Sequence, residues 1–121
     1  MSKKILIAED EKPMANALRL KLQSVWFETN VVYDGEAALI ALKETPYDLL
    51  ILDLVMPKKD GFYVLTELRK LAIPTPVIVT SNLGQEEDKK RAKDLGALDY
   101  LIKSDTTLAA IIERIKKVFV M

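Results

Sequence analysis

Short unbroken apolar runs alternate along the chain with stretches whose apolar residues return every third or fourth position. Ile5-Leu6-Ile7-Ala8 is such a run, and it ends in Glu9 and Asp10. A strand covered on both faces reads this way, because neither face needs polar residues. Pro13 to about Ser24 follows, with Ala17, Leu18 and Leu22 on one stripe, and proline suits the first turn of a helix. Asn30-Val31-Val32-Tyr33 is a weaker strand stopped by Asp34-Gly35. Ala38, Leu39 and Leu42 then mark a second helix closed by Thr45-Pro46. Leu49-Leu50-Ile51-Leu52 repeats the buried-strand pattern and again ends in an acid, Asp53. Phe62 to Leu71 is helical, Val77-Ile78-Val79 is a strand, and Gln85 to Leu95 is a highly charged helix ended by Gly96, a natural C-cap. The strand Tyr100-Leu101-Ile102 and the helix Thr107 to Val118 complete the series.

Five strands and five helices in strict alternation, joined by short loops, imply a parallel sheet covered on both faces. The 121 residues suit one domain, taken as 1–121, and half of them are hydrophobic, enough for one core. Composition narrows the chemistry. There are no cysteines, which excludes disulfides and thiolate metal sites. There are no histidines, which removes imidazole acid–base chemistry and histidine-bound zinc. The 18 basic and 18 acidic residues cancel, so the basic excess of a nucleic-acid binder is missing and direct nucleic-acid binding is not expected. Met1-Ser2-Lys3-Lys4 runs straight into a short apolar stretch, too short for a signal peptide or a membrane span. A cytoplasmic location without a membrane partner is expected.

In an open parallel sheet, ligands bind beyond the carboxyl ends of the strands. Glu9 and Asp10 follow the first strand, Asp53 the third, Thr80 and Ser81 the fourth, and Lys103 the fifth. Each alone has an ordinary explanation. An acid at a strand end is commonly a helix cap, a threonine there bonds backbone, and a lysine is commonly solvated. Together they bring three carboxylates, a hydroxyl and an ammonium to one edge. Clustered carboxylates repel unless a cation sits among them, and oxygen-only ligands suit Mg²⁺. A cation and a lysine can neutralise a phosphoryl group in transfer, and a carboxylate can act as the nucleophile. The set points to phosphoryl transfer to an aspartate.

Five motifs in order carry a resemblance that runs the length of the chain. They are Ile7-Ala8-Glu9-Asp10, Leu52-Asp53-Leu54-Val55-Met56-Pro57 with Asp60-Gly61, Val79-Thr80-Ser81, Gly96-Ala97, and Asp99-Tyr100-Leu101-Ile102-Lys103. On these the chain resembles the CheY-like receiver domains of two-component response regulators. The resemblance implies a flavodoxin-like (βα)5 doubly wound fold, with a five-stranded parallel sheet in the order 2-1-3-4-5. It implies phosphorylation at Asp53, and Mg²⁺ held by Asp10, Asp53 and the backbone carbonyl of Val55, with Glu9 acting through metal-bound water. Lys103 would pair with the aspartate and then the phosphoryl group. Thr80 would be the switch hydroxyl, and Tyr100 the aromatic that turns inward after it. The phosphodonor would be a sensor histidine kinase or a histidine phosphotransfer protein. Such a domain is not an enzyme in the usual sense, since it promotes only its own phosphorylation and dephosphorylation.

Three positions bear on detail. The family commonly has proline after the site lysine, joined by a cis peptide, but here Ser104 follows Lys103. A non-proline cis bond costs ~2.5–4 kcal/mol, so a trans bond is expected. Val55 and Asn82 match sites beside the path of a hydrolytic water. Val55 either merely packs or, being apolar, slows loss of the phosphoryl group.

The charged fourth helix is either a solvated face or part of an interface. Arg91, Asp99, Arg114 and Lys116 resemble in placement the charged residues of winged-helix regulators of the OmpR/PhoB type. Those receivers dimerise through the fourth helix, fifth strand and fifth helix when phosphorylated. With no DNA-binding segment after Met121, a single-domain regulator or an excised or engineered receiver is expected.

Other readings compete. A pseudo-receiver, a binding module on this fold without phosphorylation, would usually lack the aspartate, the acid pair or the lysine, all present here. An aspartyl-phosphate phosphatase would need a second aspartate where Val55 stands. A flavin module would want a phosphate-cradling loop where Glu9-Asp10 would repel phosphate.

Overall fold

The computed structural model describes residues 2–120. Its strands are β1 (Lys4–Ala8), β2 (Glu28–Val32), β3 (Leu49–Leu52), β4 (Val77–Ser81) and β5 (Asp99–Ile102). Its helices are α1 (Lys12–Ser24), α2 (Gly35–Glu44), α3 (Gly61–Lys70), α4 (Glu86–Asp94) and α5 (Leu108–Val118). The strands are all parallel in the order β2-β1-β3-β4-β5, the expected flavodoxin-like arrangement.

The two-residue alternation of a strand decides which helix each side chain meets. Ile5, Ile7, Leu49, Ile51 and Ile78 point to one face and pack with Leu18 and Leu22 of α1 and Ile111, Ile112 and Ile115 of α5. Leu6, Ala8, Leu50, Leu52, Val77 and Val79 point to the other, against Ala38 and Leu42 of α2, Leu65 and Leu68 of α3 and Ala92 of α4. β1, β3 and β4 are therefore buried on both sides, which is why their sequences show no polar alternation.

Helix starts follow local chemistry. Asp34 accepts from the Ala37 amide at 2.7 Å, Asp60 from Tyr63 at 2.8 Å and Thr107 from Ala110 at 3.1 Å, capping α2, α3 and α5. Neither α1 nor α4 has a side-chain cap. Gly96 ends α4 with φ +104°, a conformation open to glycine.

Several boundaries differ from the sequence reading. β2 starts at Glu28 rather than Asn30, because β1 pairs with it from Lys4 opposite Glu28. β4 runs on through Thr80 and Ser81, which are buried strand residues opposite Leu101 and Ile102. A short 3₁₀ turn, Lys103–Asp105, follows β5. No described helix is long and apolar enough to cross a membrane.

Candidate functional site

The acids that end β1 and β3 meet because those strands are neighbours, with Ala8 opposite Leu52. Oxygens of Glu9, Asp10 and Asp53 all lie within 4.8 Å of one another. Glu9 and Asp53 are buried, at 1 % and 3 % exposure, while Asp10 faces solvent. Asp10 and Asp53 open on a cleft of about 340 Å³ that also has Glu11, Val55, Asn82 and Lys103 on its walls. Two glycines let the loop after β3 close down on this edge. A Cβ on Gly61 would lie 2.6 Å from the Asp53 carbonyl oxygen, and one on Gly35 would overlap the Lys59 carbonyl.

Lys103 reaches across from the far side. Its Nζ lies 2.5 Å from Glu9 Oε1, 2.9 Å from Glu11 Oε1 and 3.1 Å from Asp53 Oδ2. Glu11 was not foreseen, although it stands next in the acidic run Glu9-Asp10-Glu11. Asp53 Oδ1 also accepts from the Val55 amide at 3.3 Å, and Glu9 Oε2 from the Glu11 amide at 3.0 Å.

Burial pushes the Glu9 carboxyl up to about 7, against the pull of Lys103 and the Glu11 amide. Burial also raises Asp53, with Lys103 the chief opposing influence. Burial by itself would lower Lys103, but Glu9, Glu11 and Asp53 together outweigh it and hold the ammonium above the ordinary lysine range. Three carboxylates thus share one ammonium. Glu9 Oε1 is buried and meets no donor but the Lys103 ammonium, which it shares with Glu11 and Asp53. The three carboxylates of Glu9, Asp10 and Asp53, within 4.8 Å of one another, two buried and one open to solvent, with a single ammonium among them, form an all-oxygen set that fits a hard divalent cation such as Mg²⁺.

The peptide joining Lys103 to Ser104 is trans, as expected. The Ser104 N–H donates to Asn82 Oδ1 at 3.1 Å. Thr80 is buried at 1 % exposure on β4, and its neighbour Ser81 accepts from the Leu83 amide at 3.2 Å. Tyr100 departs from the expected picture. It is already buried, its hydroxyl donating to the Leu83 carbonyl in the loop before α4. Burial also raises its phenol above the ordinary range.

The charged residues read as a dimer face are all engaged within the chain. Asp99 pairs with Arg114, Lys116 lies 3.7 Å from Glu113, and the Arg91 guanidinium stacks 4.1 Å from the Phe62 ring centre. Val55 is 57 % exposed at the cleft mouth, so it does not merely pack.

Residues 5–116 match the family model described as the response regulator receiver domain. The transcriptional regulatory protein CpxR of Klebsiella pneumoniae is 42% identical over 114 residues, covering 93% of this chain and 48% of that protein. The transcriptional regulatory protein CiaR of Streptococcus pneumoniae is 40% identical over 100 residues, covering 83% of this chain and 44% of that protein. Both are OmpR-family response regulators, and the chain spans about half the length of these relatives. The receiver domain of the Francisella response regulator 1452 superposes with a TM-score of 0.91 at 34% identity, covering 98% of this chain and 97% of that one. The phosphorylated cyanobacterial phytochrome response regulator RcpA does so with a TM-score of 0.84 at 31% identity, covering 98% and 91%.

Proposed function

The chain belongs to the response regulator receiver family, and from that premise we propose that it is a phosphoryl-accepting switch modified at Asp53. The observation that carries this is the setting of Asp53. It is a buried carboxylate at the end of the central strand, beside an open cleft, with the Lys103 ammonium at 3.1 Å. A carboxylate so placed can attack phosphorus as the P–N bond of a phosphohistidine breaks and its electron pair leaves with the imidazole nitrogen. The donor is a histidine kinase or a histidine phosphotransfer protein, which supplies the histidine this chain lacks. Lys103 then shifts its charge from the carboxylate to the phosphoryl oxygens, and the Thr80 hydroxyl donates to one of them.

Glu9, Asp10, Asp53 and the Val55 carbonyl are the groups that would hold Mg²⁺, which when bound would neutralise the negative charge gathering on the transferring group. The whole chain acts as one receiver domain in the cytosol, and its role is signalling rather than turnover. The face made by α4, β5 and α5 is the output surface. On a two-fold axis the Asp99–Arg114 pair could be exchanged between two copies, which makes phosphorylation-dependent dimerisation through this face part of the proposal.

Intact mass after incubation with a small phosphodonor tests the reading. One phosphoryl group is expected in the presence of Mg²⁺ and none in Asp53→Ala. A pseudo-receiver would take up none at all. Thr80→Ala should still accept the group yet lose the change at the output face; a mutant with normal partner binding would contradict the coupling.

A further inference from the structure

The β4–β5 ladder ends with Ser81 opposite Ile102. One residue beyond that pair on each strand stand Asn82 and Lys103. Asn82 does not continue the ladder through its backbone. Its side-chain Oδ1 instead takes the Ser104 N–H at 3.1 Å. The backbone of Lys103 is thereby held on both sides, by the end of the sheet before it and by the Asn82 contact after it.

That matters because lysine carries its charge on a flexible four-carbon stem. The Lys103 stem must cross the cleft to bring Nζ among Glu9, Glu11 and Asp53. Fixing the root of the stem narrows the directions in which it can aim. We propose that Asn82 is a positioning residue for Lys103, acting through the Ser104 amide. Asn82 and Ser104 work as a matched pair, since a proline at position 104 would have no N–H to donate. The bond also ties the loop before α4 to the loop before α5. The proposal rests on the reading of Asp53 and Lys103 above, and it gives Asn82 a task distinct from contact with a water in the cleft.

The test uses the full chain with Mg²⁺ and beryllofluoride as the probe. Asn82→Ala should weaken beryllofluoride binding about fivefold, equivalent to about 1 kcal/mol, the net worth of one hydrogen bond. In a Ser104→Pro background the same substitution should have no further effect, because the donor is already gone. The Ser104 amide, hydrogen-bonded to Asn82 Oδ1, should exchange faster in Asn82→Ala than in the native chain without any ligand present. An equal loss in both backgrounds, or none in the native one, overturns the proposal. If Ser104→Pro does not fold, unchanged Ser104 exchange in Asn82→Ala overturns it instead. Failure of the native chain to take up beryllofluoride would refute the phosphoacceptor reading and leave the amide measurement to judge the brace.

Discussion

α3 and α4 pack on the same face of the sheet, yet different forces hold them. α3 buries Phe62, Val64, Leu65 and Leu68 and is capped by Asp60. α4 buries one residue, Ala92, and has no side-chain cap. Its remaining ties are polar and exposed, including Arg91 stacked on Phe62 and Arg69 donating to the Asp94 carbonyl. Burying a large apolar side chain is worth about 1.5–3 kcal/mol, whereas an exposed ion pair gives about 0–1 kcal/mol. The contrast separates two tasks. The carboxylates follow directly on the ends of β1 and β3 in the interior of the sheet, which α3 helps to cover. The proposed output surface includes α4, the helix with the least to lose by shifting.

The largest effect expected is on the fixed side. Leu65→Ala should lower stability by about 2–5 kcal/mol, seen as an earlier urea midpoint with an unchanged slope. A smaller change would mean that α3 is less firmly anchored than its burial suggests.

The next effect comes from the buried carboxylate. Glu9 ordinarily titrates at 4.5 and is pushed up to about 7 in the fold. The folded chain therefore keeps a proton over a pH range where the unfolded chain has lost it. This contribution is complete below pH 4.5 and disappears as pH rises through about 7. With Mg²⁺ chelated, the melting temperature should fall between about pH 5 and about pH 8, and Glu9→Gln should flatten that fall. A melting temperature that rises over this range would contradict the assignment of the shift to Glu9.

The smallest effect belongs to α4. Lys93→Ala, at an exposed position, should change stability by less than about 0.5 kcal/mol. α4 amides should nonetheless exchange faster than those of α3. Equal protection in the two helices would break the comparison at its root.

Much of this was legible in the chain because buried strands and the acids that end them leave a strong pattern. Ile5–Ala8 and Leu49–Leu52 named the two central strands, and so placed Glu9, Asp10 and Asp53 on one edge. The pattern failed where burial and hydrophobicity part company. Thr80 and Ser81 look like loop residues but are buried in β4, where neighbouring strand residues cover them. β2 begins earlier than its apolar residues indicate, since backbone pairing with β1 sets its start. The turn Lys103–Asp105 is one short polar segment with no periodicity to read. Glu11 meets Lys103 across 92 positions of sequence, a contact that only the closed sheet creates. The inward Tyr100 is a choice of rotamer, set by the Leu83 carbonyl rather than by any local motif.

The central claim is that chemistry at a fixed centre moves a loosely anchored edge. Amide exchange along the whole chain, with Mg²⁺ and with or without beryllofluoride, tests it most directly. Beyond local slowing at the site loops themselves, the account predicts changed exchange in α4 and the loop before it, with β1, β3 and α3 unaltered. Bound beryllofluoride that leaves α4 unchanged, or that alters α3 as much as α4, would contradict it.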